Sequence, residues 1–336
     1  MNDKERWLAK TTEEALEPEL PICDPHHHLW DHQGSDIRRY LLDELLADIG
    51  GGHNVVSTVF LECMAFYRPD GPEALRPVGE TEFVNGIATM SASGSYGPAR
   101  VAAAIVGFAD LRLGAAVDEV LTAHEQASGG RFRGIRNVAA FLDHPEINNS
   151  ATDPKDGLYL DATFREGFAR LAPRGLSFDA WFYHPQIPEL TDLARAFPDT
   201  TIVLDHVGGP LGIGPFAGRR EEVYQTWRPD IDELAQCPNV HVKLGGLAMK
   251  MCGFGYHKLD QPPSSEALAE DWQPYLQHCI ERFGPERCMF ESNFPVDKSS
   301  CGYTVLWNAF KRLAAGFSDD EKAALFHDTA ARVYRI

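Results

Sequence analysis

The sequence predicts a single (β/α)8 TIM barrel, an α/β fold with long βα loops, on three observations. Eight short runs rich in Val, Ile, Leu and Phe recur along the 336 residues. Longer segments with apolar residues at helical spacing separate them. A cluster of histidines, His26, His27 and His28, stands at the end of the first run. Regular alternation of this kind implies parallel strands joined by helical crossovers. Eight repeats favour closure into a barrel over an open doubly wound sheet, which would give nearly the same pattern.

The expected strands are residues 20–24, 55–63, 101–108, 132–137, 177–182, 201–205, 240–244 and 288–291. The expected helices are 41–49, 80–92, 115–127, 158–171, 187–197, 221–235, 266–283 and 303–314. One domain is expected over 1–336, with an N-terminal extension at 1–18 and a C-terminal helix over 319–336 packed outside the barrel. Three irregular stretches, 68–79, 207–219 and 245–265, read as lids or binding loops, or as surface decoration.

Composition narrows the function. A hydrophobic content of 44% in a chain of this length supports a large core. A net charge of −18, from 49 acidic against 31 basic residues, disfavours nucleic acid and anionic membranes as partners. The seven cysteines are scattered without a Cys-x-x-Cys pair and read as reduced core thiols. No apolar stretch reaches the roughly 18 residues of a membrane span, and the charged start lacks a secretory pattern, so the expected compartment is the cytoplasm. The expected partner is a small-molecule substrate, with a homo-oligomer as the expected assembly.

The chemistry concentrates in Asp24-Pro25-His26-His27-His28-Leu29-Trp30. Side chains of an extended segment alternate, so Asp24, His26 and His28 are expected on one face and His27 on the other. Two imidazoles two residues apart can share a metal ion, with Asp24 as a supporting partner, or can cap a helix and pack under a loop.

Here the chain resembles the amidohydrolase superfamily, in its amidohydrolase-2, lactonase-like branch. The resemblance covers nearly the whole chain. It rests on Asp24-x-His26-x-His28-x-Trp30, Arg133-Gly134-Ile135-Arg136-Asn137, Leu204-Asp205-His206-Val207-Gly208-Gly209-Pro210, Val242-Lys243-Leu244-Gly245-Gly246-Leu247 and Met289-Phe290-Glu291-Ser292-Asn293-Phe294-Pro295. It implies a barrel in which His26, His28 and His206 surround a hydrolytic water and hold a divalent metal, zinc in the first instance. The resemblance also implies an aspartate on the last strand, where this chain carries Asn293. An amide accepts no proton at neutral pH, so Asn293 is not the general base. Three routes remain open: a metal-generated hydroxide, Glu291 reaching up as the carboxylate, or a metal-free site with His206 or another imidazole as base.

Arg133 and Arg136, at the end of the fourth strand, match arginines that meet substrate anions, or pair with acidic groups at the barrel mouth. Lys243 polarises a carbonyl or serves as structural glue, and His184 binds substrate or bonds within its turn. Glu62 reads as a supporting partner or a lost ligand. Trp30, Trp181, Phe182 and Tyr256 are expected to wall the pocket. The favoured reaction opens a lactone or related cyclic ester or amide in a small carboxylated molecule. A metal-dependent decarboxylase of an aromatic or unsaturated acid and a non-catalytic ligand-binding barrel are the alternatives.

Overall fold

The computed structural model describes residues 3–32, 37–147, 154 and 156–336. Eight parallel strands stand where the apolar runs predict them: β1 (Pro21–His27), β2 (Asn54–Leu61), β3 (Arg100–Gly107), β4 (Phe132–Arg136), β5 (Ser177–Ala180), β6 (Ile202–Leu204), β7 (Val240–Leu244) and β8 (Cys288–Phe290). Each pairs in parallel with the next in sequence. The last returns to the first: His27 bridges Phe294 in parallel, and the His28 amide donates to the Phe294 carbonyl at 2.8 Å. The sheet is a nearly closed barrel.

Helices follow the strands at α1 (Leu42–Ile49), α2 (Val78–Ala92), α3 (Val117–Ala127), α4 (Ala162–Phe168), α5 (Ile187–Ala196), α6 (Arg220–Leu234), α7 (Ser265–Phe283) and α8 (Tyr303–Leu313). The predicted helix over 158–171 is interrupted. Asp161 sits in extended conformation and accepts from the Phe164 amide, which starts a new helix after a single 3-10 turn at Leu158–Leu160. Among the described residues no helix is long and apolar enough to cross a membrane.

The barrel interior is filled by Cys23, Val59, Leu61, Ala104, Val106, Val203 and Met289. Ala330 and Tyr334 complete that cluster, which corrects the expectation for the C-terminal segment. Of Asp319–Ala323, a π-helical turn at Ala324–Asp328 and Thr329–Tyr334, the turn lays Phe326 on Phe290 and Trp307 outside the barrel, while Ala330 and Tyr334 reach its interior. They cover its base, because the interior leaves room for one more ring. Tyr334 fills it and donates its hydroxyl to Asp179 at 2.6 Å.

The N-terminal extension is tied across the loop that follows β7. Trp7, Lys10 and Thr11 donate to the carbonyls of Leu259, Asp260 and Pro262 at 2.8, 2.8 and 2.7 Å.

Candidate active site

The site forms at the C-terminal ends of the strands, where barrel side chains meet the βα loops. In β1 the register jumps from Asp24 opposite Thr58 to His27 opposite Phe60, three residues against two. This bulge sets the directions of the side chains. His26 and His28 both point inward, with their Nε2 atoms 3.2 Å apart. His27 points outward to the Thr58 hydroxyl at 2.8 Å. Strict alternation would also aim Asp24 inward, and the bulge overturns that: Asp24 accepts from the Tyr303 hydroxyl at 2.9 Å and the Ser292 amide at 3.0 Å. It splints the seam between β1 and β8.

His206 follows β6 in a left-handed conformation, φ +55°, that few non-glycine residues adopt. Glu291 holds it there, taking both the His206 amide at 3.1 Å and Nδ1 at 2.6 Å on one oxygen. Gly246 clears the space, since a Cβ at that position would come within 2.5 Å of the His206 ring. Trp181 lies edge-on to the ring with centroids 4.7 Å apart.

Beneath the imidazoles lies a buried layer of charge. Lys243, fully buried, sits 2.7 Å from Asp179, 3.0 Å from Asp205 and 3.3 Å from His26 Nδ1. Arg136 bonds Glu62 at 2.8 Å and lies 3.6 Å from Asp205. Glu291 reaches to 2.7 Å from His26 Nδ1 through its second oxygen. Two cations therefore face four carboxylates. That second oxygen of Glu291 and both oxygens of Asp205 are buried and held by these contacts without a well-aligned hydrogen bond.

Titration follows from this layout. Burial holds His26 and His28 well below the ordinary histidine range, helped by Lys243 at the first and Arg136 at the second. It brings His206 down to about 3, so all three rings are neutral at pH 7. Burial also pushes Asp205 up to about 6 and Glu291 up to about 8, with Lys243 opposing both shifts. Buried carboxyl groups that outnumber the cations, set beside neutral imidazoles, together fit a divalent cation. Among the described residues, His26, Asp205 and His206 form a group of three whose donor atoms all lie within 4.8 Å of one another.

The structure sorts the predicted residues. A cavity of about 320 Å³ opens above the cluster, with His28, Glu62, Arg136, Trp181, His206 and Asn293 among its lining. Asn293, also left-handed at φ +52°, donates its amide to Asp297 at 3.0 Å. His28 lies outside the group of three, but its Nδ1 is tied to the Leu61 carbonyl at 2.9 Å and its Nε2 faces His26 Nε2 at 3.2 Å. Glu291 does not reach up as a base, because its carboxylate is buried against Nδ1 of His206 and His26. Lys243 is buried in the barrel below the cavity.

Arg133 is a correction. Arg133 and Arg136 are three residues apart and so leave β4 on opposite faces, and Arg133, near the start of the strand, bonds the Tyr334 carbonyl at 2.8 Å at the barrel base. Tyr256 turns away to donate to Asp271 at 2.6 Å, and Phe182 packs on Tyr159 in the outer core. His184 accepts from the Leu211 amide at 3.2 Å, a bond from its own loop to the loop after β6. Trp30 stacks on His28 and faces an adjoining cavity. Sequence reasoning passed over Asp205, although it sits inside the Leu204-Asp205-His206 motif, and also over Asp179 and Tyr334.

Comparison with known proteins agrees with this fold. A model of the amidohydrolase family matches residues 23–336. Uncharacterized protein y4mH of Sinorhizobium fredii is 34% identical, covering 95% of this chain and 99% of its own. An L-fucono-1,5-lactonase of Burkholderia multivorans is 26% identical over 93% of this chain and 95% of its own. A crystal structure of a Burkholderia multivorans amidohydrolase with bound zinc superposes with a TM-score of 0.72 at 25% identity, covering 94% and 99% of the two chains.

Proposed function

The chain belongs to the amidohydrolase family and is a hydrolase, and we propose that it opens a lactone by attack of water at a divalent metal held by His26, Asp205 and His206. The observation that carries this reading is the grouping of Asp205, a buried carboxylate ion-paired to Lys243, with two neutral imidazoles whose donor atoms lie within 4.8 Å of it and of each other. The lactonase relatives support the reaction class, and the zinc in the similar Burkholderia multivorans structure supports zinc as the ion. When bound, such an ion polarises a carbonyl and lowers the pKa of water to about 7, which removes the need for an aspartate at position 293.

The protein's own groups bind and orient. Glu291 and Trp181 fix the His206 ring, and Lys243 holds Asp205 in place. Asn293 gives its N–H to Asp297, which leaves its carbonyl oxygen free to accept from and orient the attacking water. Arg136, aligned by Glu62, offers its remaining N–H groups to an anionic oxygen of the ligand: a ring carboxylate, or the carboxylate formed as the ester C–O bond breaks. The product is the open hydroxy acid.

The test is elemental analysis of the purified protein, with activity on a lactone panel followed by pH-stat before and after chelation. About one equivalent of zinc or manganese whose removal abolishes acid release is the expected result. Full activity without metal overturns the metal role. Release of carbon dioxide instead of a hydroxy acid overturns the reaction.

A further inference from the structure

We propose that the substrate carries an apolar alkyl or aryl substituent on its lactone ring, seated in a second cavity that continues the site; the proposal rests on the lactone reading above. This cavity, of about 440 Å³, is walled by Trp30, Leu211, Ile213, Met249, Met251 and Val296. It shares Tyr183, Met249, Met251 and Val296 with the cavity over the histidines, so the two adjoin and leave room for one ligand across both. Among the described lining residues only Lys250, Ser299 and the Tyr183 hydroxyl are polar side chains.

The wall is built, not incidental. The Gly212 amide donates to the Met251 carbonyl at 2.8 Å, and a Cβ on Gly212 would strike the Cys252 carbonyl at 2.4 Å. The loops after β6 and β7 thus meet backbone to backbone and present Leu211, Ile213, Met249 and Met251 as one surface. His184 pins the Leu211 amide, and the Trp30 indole is held by the Ile37 carbonyl at 2.8 Å. The two methionines adapt to ligands of varied outline.

Polar matching decides between substrate classes. A ring bearing several hydroxyls would lose water against these side chains with few partners in return. Each methylene buried there raises affinity about fourfold. The site therefore selects a ring with a polar reacting head, over the histidines, and an apolar tail.

The experiment compares kcat/KM for δ-valerolactone, its ring-alkylated homologues of increasing chain length, a phenyl-substituted δ-lactone and a polyhydroxylated δ-lactone. The expected result is a rise of about fourfold per methylene over the first few carbons, carried by KM. Ile213→Asn and Leu211→Asn should each flatten that series, read as the ratio of long-chain to unsubstituted rate constants. A flat wild-type series, or preference for the polyhydroxylated ring, overturns the proposal. Calorimetric binding of the corresponding lactams separates it from the lactone reading. Chain-length-dependent binding without turnover of any lactone would sink the reaction and keep the apolar subsite, whereas binding indifferent to chain length removes the subsite.

Discussion

Oε1 of Glu291 lies 2.6 Å from Nδ1 of His206 and accepts the backbone N–H of the same residue at 3.1 Å. A single carboxylate thereby fixes both the ring and the left-handed turn that carries it. Its other oxygen faces His26, so the tip of β8 aligns two of the three grouped donors. Partners of this kind set the orientation and basicity of metal-binding imidazoles.

Glu291→Gln replaces one of those oxygens by an N–H₂ group, leaving one imidazole without its acceptor. Metal affinity should fall by 10 to 100-fold and kcat/KM by a similar factor, with the circular dichroism spectrum unchanged. Wild-type metal content and turnover in this variant would show that the carboxylate only fills space.

Tyr334 reaches Asp179 from the base of the barrel, and Asp179 in turn holds Lys243. Removing the hydroxyl in Tyr334→Phe deprives a buried carboxylate of one of its two strong donors. A loss on the order of 2 kcal/mol is expected for a hydrogen bond to a charged group. Thermal unfolding checks it, and an unaltered Tm would mean that the helix merely covers the base.

The eight strands were legible because their apolar runs are continuous, as strands buried on both faces require. The His-x-His pair and His206 were legible because each ends such a run. Asp24 was misjudged because period-two alternation carries no sign of a bulge, which exchanges faces beyond it. Lys243, Asp179 and Asp205 form one buried network that no local pattern announces, since their separation in sequence hides their contact. Tyr334 reads as one more apolar residue on a terminal amphipathic helix. Only the barrel's inner volume reveals where it goes.

Arg136 and Arg133 should separate cleanly. Arg136→Lys keeps a cation for Glu62 but loses the fork that engages carboxylate on two N–H groups. KM and the inhibition constant of the hydroxy-acid product should each rise about tenfold, about 1.4 kcal/mol. Arg133→Ala should leave both constants alone and lower Tm, because it frees the carbonyls of the C-terminal segment. A KM effect from Arg133→Ala would contradict its placement at the base.

Glu80 gives the pH dependence. Its Oε1 accepts from the amides of Cys63 and Ala65 at 3.0 and 2.8 Å, while Oε2 is buried without a partner. Burial, followed by repulsion from Glu62, pushes it up to about 8. A folded pKa above the ordinary carboxylate value means that the folded state holds this proton when the unfolded chain has released it. Its contribution is fully present below the unfolded value and is lost as pH climbs towards 8. The Tm of the wild type relative to Glu80→Gln should therefore fall as pH rises from 5 to 8. A difference that does not change with pH would place the titration elsewhere.

Asn293 is explained by its neighbour. Its amide N–H donates to Asp297, a carboxyl buried at 0% exposure whose pKa burial drives well above the usual range, with Glu291 adding to the effect. Restoring an aspartate through Asn293→Asp would set two carboxyl groups 3.0 Å apart in a dry pocket, where only one can ionise. The single variant should lose stability, on the order of 2 kcal/mol, with reduced turnover. The exchange Asn293→Asp with Asp297→Asn restores one acid and one amide in contact, so stability should return towards wild type. A double-mutant cycle on Tm measures the coupling. Additive losses would show that the two side chains do not depend on each other, whereas recovery in the pair would identify Asp297 as the reason this barrel tolerates an amide where its site would otherwise hold a base.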